Sequence, residues 1–81
     1  MINQEWEIEF DRYMIQRITW LLEESRGYLG RAHHSPIYAY WVGLNLGWCI
    51  ESAKKIHDAD LQSAACDWIY GCREAVFEIL A

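Results

Sequence analysis

Between Ile37 and Ile50 the chain carries a single polar residue, Asn45, in fourteen positions. Such a run has few places to go. It shows no alternation of apolar and polar residues, so a half-buried strand is excluded. It is shorter than the ~20 residues needed to cross a bilayer. A helix that is apolar nearly all round is left, either sandwiched between neighbours or partly bare as a contact surface. Ser35-Pro36 supplies its start, with Ser as cap and Pro in the first turn, and the helix is expected to run from 36 to about 57. On it Val42, Leu46, Cys49, Ile50, Ala53 and Ile56 make the core side. Ala39, Gly43 and Gly47 recur every four residues and line an adjoining groove for close helix packing, by the third helix or by a second copy. Ile37, Trp41, Leu44 and Trp48 occupy the remaining side until Glu51.

The flanking segments read as two further helices. Residues from about 3 to 26 place Ile8, Phe10, Met14, Ile15, Ile18, Leu21 and Leu22 on one broad face. Asn3 is the expected cap, and Glu5, Glu7, Glu9 and Asp11 suit the positive end of the helix dipole. Trp6, Tyr13 and Trp20, spaced by seven, form a second ridge that is expected to receive the third helix. Gly27 or Gly30 is expected to end this helix in the left-handed conformation. After the turn His57-Asp58-Ala59-Asp60, with Asp58 or Asp60 as cap, residues 59–81 form the third helix. Its core face is Leu61, Ala64, Ala65, Trp68, Ile69, Cys72, Ala75, Val76, Ile79 and Leu80. Its small-residue edge, Ala64, Gly71 and Ala75, is expected to meet the Gly43/Gly47 groove in an antiparallel pair. The expected fold is all-α: a compact three-helix bundle forming a single domain, 1–81, with helix two in the middle.

Eighty-one residues are near the lower limit for folding without staples, and a core rich in large side chains is required. Five Trp, five Tyr and two Phe supply it. A net charge of −5 with no basic stripe excludes direct nucleic-acid binding, which depends on released counterions. A nucleic-acid mimic would carry longer one-faced carboxylate rows. The three cysteines, 49, 66 and 72, are odd in number, and six residues on a helix hold Cys66 and Cys72 roughly 9 Å apart along the axis. Free thiols in a reducing cytoplasm follow. The acidic N-terminal residues do not read as a secretory signal, and no membrane role is expected.

No catalytic chemistry is legible. GxSxG, HExxH, CxxC and phosphate-loop patterns are all missing from the sequence. His33-His34 are adjacent and cannot share one metal from a regular element. His57, Asp58 and Asp60 stand where helix capping asks for them. No enzyme activity, cofactor or metal is expected.

The expected function is therefore carried by surface. Either Trp41, Leu44 and Trp48 or the Trp6/Tyr13/Trp20 ridge would anchor a protein partner, with Arg26, Arg31, His33 and His34 as polar rim. In size and composition the chain resembles phage-encoded anti-defence proteins such as anti-CRISPRs, and antitoxins, which act as inhibitors by occluding a site on a larger protein. No motif in it matches a family. The alternative is a homodimer or larger bundle in which assembly is itself the role.

Overall fold

The computed structural model describes residues 4–32 and 34–80, and these form three helices: α1 (Glu5–Leu29), α2 (Pro36–Lys54) and α3 (Ala59–Leu80). The expected cap Asn3, the loop residue His33 and the last residue, Ala81, lie outside the described residues. Gln4 stands at the N-cap of α1 without a side-chain cap bond. Its backbone carbonyl accepts from the N–H groups of Glu7 and Ile8 at 3.0 and 3.2 Å.

The end of α1 departs from expectation. Gly27 continues the helix, and Gly30 caps it in the right-handed conformation at φ −62°. No described glycine has positive φ. The chain instead tightens through successive three-residue turns, Arg31 N–H to the Tyr28 carbonyl and Ala32 N–H to the Leu29 carbonyl. A left-handed residue is not needed to satisfy the last carbonyls when the final turn can narrow in this way. The start of α2 follows the sequence: the Ser35 hydroxyl accepts from the Ile37 N–H, and Pro36 opens the helix.

α1 and α2 run antiparallel, in a register read from their contacts. The Asn45 amide nitrogen donates to the Leu21 carbonyl and to Glu24, both at 3.4 Å, and the Cys49 thiol points at the Ile18 carbonyl. Further along, the His57–Asp58 backbone meets Asp11. Asp11, an ordinary first-turn acid by sequence, is only 3% exposed. One of its oxygens accepts from the His57 backbone N–H (2.8 Å) and faces His57 Nδ1 (3.0 Å); the other accepts from the Asp58 N–H (3.0 Å). This carboxylate draws the chain out of helical geometry, which is why α2 stops at Lys54 and not near 57. The Asp58 side chain then caps α3 through the Leu61 N–H. The Gln62 amide donates back to the carbonyls of Lys54 and Ile56.

One core links the helices: Met14, Ile18, Leu21, Cys49, Ala53, Ile56, Ala65 and Ile69. A smaller cluster of Val42, Leu46 and Val76 continues it toward the other end. Of the residues expected on the inner side of α2, five are buried and Ile50 is half-buried. The outer helices fit expectation less well. α2 packs on both neighbours, whereas α1 and α3 barely approach each other. Ile8 is consequently exposed, as are Leu61, Ala64, Trp68, Ala75, Ile79 and Leu80, all expected on the core face of α3. Gly43, Gly47 and Gly71 have open space where a Cβ would stand, so the small-residue edge of α3 does not meet the α2 groove. α3 uses the larger Ile69 and Val76 to reach α2, and those side chains hold the backbones apart. The bundle is drawn out along its helices, 48 × 18 × 14 Å, with a radius of gyration of 14.1 Å against about 12 Å for a compact domain of this length.

Candidate interaction surface

All five tryptophans lie at the surface: Trp6 and Trp20 are about 60% exposed, Trp41, Trp48 and Trp68 between 38 and 48%. The Trp6/Tyr13/Trp20 ridge does not receive α3, because α3 lies on the other side of the α1/α2 hairpin. Two clefts show this. One, of about 340 Å³, lies between α1 and α3 and takes Leu22, Arg26 and Leu29 from α1 with Trp68, Val76 and Ile79 from α3. The other, of about 270 Å³, is lined by Glu24, Tyr28, Trp41, Leu44, Asn45 and Trp48, with no residue of α3. Trp20 stands one turn before Glu24, which lines the second cleft, and so falls on the same side of α1. The two aromatic ridges, separate features of the sequence, therefore lie on one face of the hairpin.

Packing between the helices orients this face. Tyr28, Tyr38 and Trp41 form a three-ring cluster with centroids 5.4–5.9 Å apart. The Tyr28 hydroxyl donates to Glu24 Oε1 at 2.9 Å, and that bond together with partial burial raises the phenol above its ordinary pKa. The Arg31 guanidinium lies 5.8 Å from the Tyr38 ring. At the opposite end Trp6 and Phe10 each set an edge-on ring against His57 at 5.2 Å. Trp6 and Trp41 are thus tethered along one side and bare along the other. Aromatic pairs of this kind are worth ~0.5–1.5 kcal/mol beyond their area.

Of the expected rim residues, Arg31 and His34 lie at the loop end of α2, both exposed. Arg26 does not join them: it lines the cleft on the α3 side. Ala39 is half-buried, while Gly43 and Gly47 lie exposed on the outer side of α2. Glu24 stands beside the Trp6/Tyr13/Trp20 ridge by sequence; Tyr28 belongs to the surface as well but was not legible as such. Their four-residue spacing was the available signal, and a Glu–Tyr pair at that spacing is common on solvated helices.

Burial pushes the Cys49 thiol up to about 11, with Cys72 nearby adding to the effect, so it stays protonated at neutral pH. Cys66 and Cys72 are half-buried and unbridged. Among the described residues no three His, Cys, Asp or Glu side chains gather where a metal ion would bind, and no helix is long and apolar enough to cross a membrane. No protein-family model matches the sequence, and neither a curated protein nor a solved structure matches the chain.

Proposed function

We propose that this chain is a small non-catalytic protein-binding module, an inhibitor or adaptor that occludes a site on a larger protein in the cytoplasm, as anti-CRISPR-like and antitoxin-like proteins do. The observation that carries it is the sharing of one face by the Trp6/Tyr13/Trp20 and Trp41/Leu44/Trp48 ridges. Monomeric proteins seldom leave a contiguous apolar patch of this kind bare, and Trp and Tyr concentrate binding energy at interfaces. The total accessible surface of 5799 Å² also exceeds the ~5,100 Å² usual for this mass. That excess is of the order of one side of a standard interface, ~800 Å².

The test is retention of a native partner by tagged protein, compared with Trp41→Ala/Trp48→Ala. Loss of the partner with unchanged helical circular dichroism supports the module. Undiminished retention, or unfolding of the double variant, removes these residues from the anchor.

One observation favours a second role, a homodimer or larger assembly. Gly43 and Gly47 leave open space on the outside of α2, where a second copy would find a close approach. Light scattering over a concentration series separates the two, since a persistent monomer is incompatible with self-assembly.

A further inference from the structure

The cleft between α1 and α2 that holds Tyr28, Trp41 and Trp48 also takes Glu24 and Asn45, and among the described residues no Lys, Arg or His lines it. Its polar groups are partly engaged from within. The Tyr28 hydroxyl and the Asn45 amide nitrogen both donate to Glu24 Oε1, at 2.9 and 3.4 Å, and the same nitrogen donates to the Leu21 carbonyl at 3.4 Å. Both neighbours of that amide are acceptors, which fixes its nitrogen toward them and its oxygen away. We propose that this cleft receives the ammonium group of a lysine side chain presented by the protein partner. The inference rests on the reading above, in which the tryptophan face is the partner-binding surface.

Three observations select lysine. The first is a pair of unmatched acceptors. Asn45 is only 2% exposed, yet its Oδ1 has no hydrogen-bond partner among the described residues, and neither has Glu24 Oε2. No fully buried side-chain N or O among those residues lacks a partner, so both oxygens reach the surface, and the cleft is a surface that both residues line. Bare acceptors call for N–H donors, and an ammonium carries three.

The second is charge. Glu24 forms no ion pair among the described residues. Arg31 lies against the Tyr38 ring at 5.8 Å and does not line the cleft. The rings of Tyr28, Trp41 and Trp48 line it beside the acid, and aromatic faces attract cations through their quadrupoles. Carboxylate and rings thus favour the same sign of charge, and an acidic or neutral side chain gains from neither.

The third separates lysine from arginine. A guanidinium is planar, forks onto both oxygens of a carboxylate and stacks flat on a ring. Here Glu24 Oε1 already accepts from two donors. The Tyr28 and Trp41 rings are inclined at 57° with centroids 5.4 Å apart, which leaves no parallel slot between them. A compact point charge needs neither the fork nor the slot.

Butylammonium, the end of a lysine side chain, tests this against n-butanol and propylguanidinium in NMR titrations of the isotope-labelled chain at pH 7 and constant ionic strength. The indole N–H signals of Trp41 and Trp48 and the side-chain amide of Asn45 are the readout. Butylammonium is expected to shift them with a Kd at least ~5-fold below that of either competitor. Glu24→Gln keeps an acceptor for Tyr28 and Asn45 and brings butylammonium to the level of butanol. Trp48→Ala, at a half-exposed position, weakens butylammonium binding by ~5-fold or more. Equal binding of butylammonium and butanol, tighter binding of propylguanidinium, or an unchanged preference in Glu24→Gln overturns the proposal. Tagged Glu24→Gln is also expected to retain less of the native partner. If Trp41→Ala/Trp48→Ala loses the partner while Glu24→Gln keeps it undiminished, the lysine site fails and the proposed function stands. If both variants keep it, the tryptophan face is not the partner's site and both readings fall.

Discussion

Asp11 ties the junction between α2 and α3 to α1 with one side chain. Burial raises its carboxyl pKa, but the backbone N–H groups of His57 and Asp58 and the His57 ring outweigh that and hold it below its ordinary value. The folded pKa therefore lies below the unfolded one. Its contribution is complete above the unfolded value of about 3.9 and is lost as pH falls through the lower folded value. Asp11→Ala leaves two N–H groups without a partner and is expected to cost about 1–3 kcal/mol in urea unfolding at pH 7. Asp11→Asn keeps an acceptor without the charge, so its stability should fall less steeply with acid than that of the wild type. Cys49 makes a second test. With its thiol near 11 and its side chain fully buried, a thiol reagent at pH 8 should modify Cys66 and Cys72 in the folded chain and reach Cys49 only on unfolding. Mass spectrometry of labelled peptides reads the order.

At the scale of elements, local signals were legible where the partners are local. Ser35-Pro36 opens α2 as the sequence indicates, and Asp58 caps α3, because a cap needs only neighbouring residues. The end of α2 was not legible, since it is set by Asp11, which binds the backbone of His57 forty-six residues further along the chain. The glycines of α2 show the opposite failure. Their four-residue spacing signals close approach, yet among the described residues nothing lies within 4 Å of where their Cβ atoms would stand. Gly43→Ala and Gly47→Ala should therefore each stabilise an isolated chain by about 0.5–1 kcal/mol, since Ala is the better helix former and its methyl meets nothing. Thermal unfolding at low concentration measures this. A drop in melting temperature instead would mean that the stripe is covered in solution.

The whole molecule is an α1/α2 hairpin with α3 laid along one side. That arrangement predicts an uneven response to truncation. Ile69→Ala removes a fully buried side chain at the junction of all three helices and should cost about 2–5 kcal/mol. Trp48→Ala removes a larger side chain but should cost less than about 1 kcal/mol, because half of it already faces water. Chemical denaturation of the two variants decides the matter. Similar losses would mean that the tryptophan ridge is core.

Three helices, their order and the inner face of α2 follow from the sequence alone, because apolar periodicity and capping residues act over a few turns of chain. The inner face of Met14, Ile18 and Leu21 follows in the same way. What the sequence left open was which apolar strips would find cover. Each helix carries more than one, and 81 residues have too little interior to hide them all. Only the tertiary structure decides that α3 packs on α2 and turns from α1, through the length of Ile69 and Val76 and the reach of Asp11. That choice puts both tryptophan ridges on one face and opens a cleft on the other. Local sequence specifies the helices; contacts between residues far apart in the chain specify what they leave exposed.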